Sequence, residues 1–146
     1  MYKRILVTLE NSSYDDVIVA HVRKLAKLCG SSLVLIHVAD GWAARNVSQL
    51  KLRESEEMEQ DRAYLEKIAA SLDSDGIDTE PLLASGEPAD EIAAAADREG
   101  CDLIAMTTHG HKFLNDMLRG SVANKVRHNS MIPVLLVRGA AREKHS

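Results

Sequence analysis

The residues whose spacing carries the most chemistry are Gly110, Gly120 and Ser121, a Gly-x9-Gly-Ser pattern. A short apolar run, Leu103 to Met106, leads through Thr107, Thr108 and His109 to Gly110. The chain then returns through Gly120-Ser121-Val122 into a stretch that reads as a helix. Glycine lets backbone approach a ligand closely, and a helix N-terminus presents unpaired N–H groups at the positive end of its dipole. Together they could hold phosphates without a lysine-bearing loop. Taken alone, the same residues read equally as a loop turn and a helix cap.

Other chemistry is thin. His109 and His111 form a His-x-His pair, but no third ligand is visible nearby, so no metal site is assigned. His109 is better read as ordering the loop or lying beside phosphate oxygens. Cys29 and Cys101 stand far apart, outside any Cys-x-x-Cys pattern, and read as reduced thiols. No Gly-x-Ser-x-Gly elbow, Gly-x4-Gly-Lys-Ser/Thr loop or His-Glu-x-x-His pair appears. The chain reads as a binder and not as an enzyme.

These residues must be positioned by a single domain, since 146 residues suffice for one core. The 18 basic and 22 acidic residues leave a net charge of −4. That acidic balance, with aromatic residues at only 3%, disfavours a nucleic-acid surface built on phosphate neutralisation and base stacking. The apolar run Ile5 to Leu9 is too short for a signal core. No stretch approaches the roughly 18 apolar residues that a membrane helix needs. The expectation is a soluble cytoplasmic protein with no membrane partner.

Short apolar runs alternate with helical periodicity along the chain. Strands are expected at Ile5 to Leu9, Leu33 to Val38, Thr79 to Ala84, Leu103 to Thr107 and Val134 to Val137. Pro81 marks the third as an edge. Helices are expected over Tyr14 to Cys29, roughly Leu50 to Leu72, Ala89 to Glu99 and Ser121 to His128. In the first, Val17, Ile18, Val22, Leu25 and Leu28 are the apolar set, and Gly30 is the stop. In the second, Met58, Leu65, Ile68 and Leu72 share a face. Pro88 suits the first turn of the third. Trp42, in an irregular segment, could cover a ligand or pack on the surface. Residues 1–139 form the domain, and 140–146 read as a mobile polar tail.

The alternation calls for an α/β fold with a parallel sheet covered on both faces. In such sheets ligands lie beyond the carboxyl ends of the strands, where strand order reverses. If strands one and four are neighbours there, the loops after strands one, two and four converge on one crevice.

With these residues assembled, the chain resembles the universal stress protein family, in its ATP-binding subgroup. The likeness runs from Arg4 to Arg138. It includes Leu9-Glu-Asn-Ser12, His37-Val38, Gly86-Glu-Pro-Ala89 and Gly100-Cys-Asp-Leu-Ile104. It continues through Thr108-His-Gly110, Gly120-Ser-Val-Ala123 and Pro133-Val-Leu-Leu-Val137. The resemblance implies a three-layer α/β/α sandwich, Rossmann-like and of the adenine nucleotide alpha hydrolase type. Its five-stranded parallel sheet would have order 3-2-1-4-5.

The resemblance also implies a nucleotide site. Thr8, Leu9, Glu10 and Ser12 would serve it at the first strand end, with the Val38 backbone against the adenine. Met106, Thr107 and His109 would line the site, with the phosphates over Gly110, Gly120 and the N–H groups of Ser121 and Val122. The implied ligand is ATP with Mg2+ or Mn2+, with AMP or ADP as alternatives. The implied assembly is a homodimer through the edge strand Val134 to Val137, and the implied role is a stress-response sensor read by a protein partner yet to be identified.

Three departures from the subgroup stand out. Its motif is Gly-x2-Gly-x9-Gly-Ser/Thr, and Thr107 replaces the first glycine. If that position needs φ > 0, a β-branched residue is a steric outlier; if it is an ordinary strand end, threonine costs little. Glu10 stands where Asp is usual, preserving charge but moving the carboxylate. His111, Lys112 and Phe113 shift the loop's cation by one place. The alternative reading is a family member that has lost nucleotide binding and acts as a protein-interaction module. Replacing Gly120 with a bulky residue is expected to abolish nucleotide binding while leaving the fold. Unchanged affinity in a titration of that variant would contradict the phosphate assignment.

Overall fold

The computed structural model describes residues 1–40, 51–108 and 121–138. Trp42, His109, Gly110, His111, Lys112, Phe113, Gly120 and the tail 140–146 lie outside the described residues. The elements in chain order are β1 (Arg4–Thr8), α1 (Asp15–Cys29), β2 (Ser32–Asp40), α2 (Lys51–Ser74) and β3 (Thr79–Gly86). Then come α3 (Pro88–Arg98), β4 (Leu103–Thr108), α4 (Ser121–Asn129) and β5 (Val134–Arg138). The five strands form one parallel sheet of order β3-β2-β1-β4-β5.

Alternation along the strands splits the core in two. Ile5, Val7, Leu9, Leu33, Leu35, Leu103 and Ala105 point to one face, where Ile18, Val22 and Ala26 of α1 and Leu65, Ala69 and Leu72 of α2 cover them. Leu6, Val34, Ile36, Ile104 and Met106 point to the other, against Ala89, Ile92, Ala95 and Ala96 of α3 and Ala123 and Val126 of α4. With both faces covered, central strands read as unbroken apolar runs. Among the described residues, no helix is long and apolar enough to cross a membrane.

Gly30 closes α1 in the left-handed region at φ 70°, returning its N–H to Ala26. Glu87 caps α3, its side chain accepting from the Asp90 N–H, with Pro88 following. Pro81 sits in the edge strand β3, opposite Leu35.

Two details of the sequence reading change. Val17 and Leu28 are exposed, Leu28 at 84%. A helix advances about 100° per residue, so the stripe through Ile18, Val22, Leu25 and Ala26 carries both of them to its flanks. The second strand is longer than Leu33 to Val38 and the third longer than Thr79 to Ala84, because the two pair on through Asp40 opposite Gly86.

Candidate nucleotide site

The chain builds β1, β2 and β3 outward in one direction, then crosses β1 to lay down β4 and β5 on its other side. Strand order therefore reverses between β1 and β4. Because all strands are parallel, the carboxyl ends of β1, β2 and β4 share one edge, which is where a ligand crevice is expected. Helix α4 runs from β4 back to the start of β5, so its N-terminus opens on the same edge.

The predicted site residues divide into side-chain and main-chain contributors. Thr8, Val38, Thr107, Thr108 and Val122 are half-buried at this edge, and Glu10 and Ser12 are exposed. Leu9 and Met106 are only 2% and 5% exposed. Their side chains belong to the two core halves, so only their backbone faces the edge. Ser121 is the first residue of α4. His109, Gly110 and Gly120 are outside the described residues.

Thr107 lies inside β4, opposite Val137. Among described non-glycine residues, positive φ occurs only at Tyr2 and Asn11. Threonine at 107 therefore carries no left-handed backbone penalty. The position is an ordinary strand end, which a β-branched residue suits. Thr107→Gly is accordingly expected to leave nucleotide affinity within about threefold, as read by calorimetric titration. A gain of an order of magnitude would mean that the threonine blocks the site.

The loop after β1 is fastened by groups that the sequence did not single out. Asp15, 1% exposed, accepts from the main-chain N–H groups of Glu10, Asn11 and Ser12 and from the Tyr64 hydroxyl. The Asn11 side chain donates to Asp61 at 2.9 Å. Asp61 in turn meets His37 Nε2 at 3.2 Å, and His37 Nδ1 lies 2.9 Å from the Leu9 carbonyl. A carbonyl oxygen can only accept, so Nδ1 donates, which sets the ring's orientation. Asp61 and Tyr64 are three residues apart, the spacing that puts two side chains on one helix face.

Glu10 is electrostatically unusual. Its carboxyl is pushed up to about 7, first by desolvation and then by the negative charge of Asp15. Unfolded, the group would titrate near 4.5. Between those values the native chain holds a proton that the unfolded chain has released, so stability falls as pH rises through the window. The contribution is fully present below about pH 4.5 and lost above about pH 7. The residue keeps access to water, so screening holds the effect below that of a fully buried carboxyl. Glu10→Gln is expected to flatten the stability profile across this window in urea titrations at a series of pH values. An unaltered profile would remove Glu10 as its source.

The ends of the helices differ in charge. Asp15 and Asp16 occupy the first turn of α1, and Asp90 and Glu91 that of α3. The first turn of α4 carries no acid, and its last turn holds Arg127 and His128. Among the described residues no three His, Cys, Asp or Glu side chains converge as metal ligands.

The chain matches the sequence profile of the universal stress protein family over residues 1–138. It belongs to that family. It is 30% identical to universal stress protein MJ0577 of Methanocaldococcus jannaschii, over 94% of this chain and 96% of that one. A solved structure of MJ0577 superposes with a TM-score of 0.81, covering the same shares of the two chains. Two further members share the fold. One, solved in complex with cAMP, has a TM-score of 0.70 at 21% identity, covering 94% of this chain and 98% of that one. The other, from Archaeoglobus fulgidus and in complex with dAMP, has a TM-score of 0.65 at 22% identity, covering 93% and 98%.

Proposed function

We propose that this universal stress protein binds an adenine nucleotide, ATP with Mg2+ or Mn2+, at the carboxyl edge of β1, β2 and β4, and acts as a dimeric stress-response sensor. The observation that carries the reading is the first turn of α4. Its first-turn N–H groups open on the strand-reversal edge, and among the described residues that turn carries no acid of its own. An anion is the ligand such an end favours. The half-buried Thr107 and Thr108 offer hydroxyl donors at the carboxyl end of β4. The residues present thus fit a phosphate chain, and a divalent cation bound with the nucleotide would offset part of its charge. Adenine is favoured over other bases because two fold neighbours were solved with cAMP and dAMP.

The proposed dimer uses the edge strand β5. One side of β5 pairs with β4, and Leu136 is 46% exposed on it. Exposed apolar edges invite pairing with a second chain. Leu136→Lys is expected to shift the protein to monomer in sedimentation at micromolar concentration. A dimer that survives this change would move the interface elsewhere.

Nucleotide identity is tested by denaturing the purified protein and analysing the released small molecules by mass spectrometry. Release of ATP supports the reading, and AMP or ADP narrows it to another adenine nucleotide. A protein that releases none and binds none on titration would instead be an interaction module, to be pursued through its protein partners.

A further inference from the structure

The loop that leaves β1 is held from within by a buried acid. Asp15 Oδ1 and Oδ2 accept from the Glu10 N–H at 2.9 and 3.1 Å, and Oδ2 accepts from Asn11 at 2.7 Å and Ser12 at 3.3 Å. The Tyr64 hydroxyl of α2 donates to the same Oδ2 at 2.6 Å. Three successive N–H groups turned to one point make a concave nest of the kind that binds free anions. Here the chain supplies the anion itself.

Helix α1 does not need this arrangement. An acid in a first turn favours the helix dipole from an exposed position, as the exposed Asp16 and Asp90 do in their own helices. A buried carboxylate is costly unless hydrogen bonds satisfy it, and Asp15 spends its bonds on the loop. Asn11 is held at φ 63°, a conformation rare outside glycine, with its N–H on Asp15 and its side chain on Asp61. The hydroxyl of Tyr64 is kept protonated, its pKa raised by desolvation and then by the bond to Asp15, so it remains a donor.

We propose that Asp15 is a positioning residue for the nucleotide crevice, its buried carboxylate fixing the main chain of Glu10 to Ser12 in the ligand-competent shape while Tyr64 ties that shape to α2. The role rests on the nucleotide reading above and adds to it the groups that set the β1 loop. It also makes α2 the element that registers any change in that loop, because both Tyr64 and Asp61 lie on it.

The test compares wild type with Asp15→Asn and Tyr64→Phe, which keep shape, and with Asp15→Ala. Amide hydrogen exchange is measured first, without nucleotide; ATP with magnesium is then titrated by calorimetry. In Asp15→Asn the Glu10 and Asn11 amides are expected to exchange at least tenfold faster, with the Leu6 and Leu35 amides unchanged. ATP affinity is expected to fall about tenfold, with Tyr64→Phe in between. Formate is expected to restore affinity to Asp15→Ala by filling the nest, a rescue that general destabilisation would not show.

Unchanged exchange at Glu10 and Asn11 would overturn the proposal. So would faster exchange with undiminished affinity, which would make Asp15 a structural anchor only. A wild type that binds no ATP would overturn the nucleotide reading and the positioning role together, while the nucleotide-free exchange data separately show whether Asp15 holds the loop.

Discussion

Replacing Ser121 with aspartate is expected to weaken binding of ATP with magnesium at least tenfold while leaving the fold as stable as before or slightly more so. The two readouts move oppositely for one reason. Ser121 opens α4, whose first turn carries no acid. A carboxylate there meets the positive end of the helix dipole, a contact worth about 0.3–1 kcal/mol. It would also place negative charge among the N–H groups proposed to hold phosphates, and the loss of about 1.4 kcal/mol is tenfold in affinity. Thermal unfolding and calorimetry on the same variant check both halves. Unchanged affinity would move the phosphates away from α4. Falling stability and affinity together would mean only that the helix had been damaged.

The second large effect concerns the core beneath the site. Leu65→Ala is expected to destabilise the protein by about 3 kcal/mol, with an unchanged denaturant slope. Leu65 is fully buried among Ile5, Val7, Leu33, Leu35 and Ile18, where α2 meets the sheet. Removing its branched end leaves a space that the packed strands can close only in part. The same helix carries Asp61 and Tyr64, so loosening its seat should also loosen the β1 loop. Urea unfolding reads the first effect; a loss under 1 kcal/mol would show that the α2 face is loosely packed.

Much of the fold was legible in the sequence, for identifiable reasons. Central strands covered on both faces write themselves as apolar runs, and Ile5 to Val7 and Leu33 to Ile36 did so. Gly30 and Pro88 marked helix ends by backbone chemistry alone. The sheet order 3-2-1-4-5, implied by the family resemblance, is the order found. Periodicity did less well where apolar residues flank a stripe. Val17 and Leu28 counted toward the α1 pattern yet lie in solvent.

The strand-reversal edge was legible in the sequence, but the side chains that shape the β1 loop beside it were not. Thr107 could not be judged from its type, because the question was a dihedral angle, which strand pairing with Val137 answers. Nothing in the sequence singled out Asp15. Its burial depends on the β1 loop folding back over it and on Tyr64, 49 residues away, reaching it from α2. Likewise the link from Asp61 to Asn11 spans 50 residues. No local spacing rule encodes such contacts. The one trace in the sequence is the three-residue spacing of Asp61 and Tyr64, which puts two polar side chains on the same side of a helix near its buried face.

The most direct test of the account is a calorimetric titration of the nucleotide-free protein with ATP and magnesium. Micromolar binding at about one site per chain, weakened when Gly120 is made bulky, is the expected result. No heat at millimolar ATP would contradict the central claim and leave the crevice without a nucleotide.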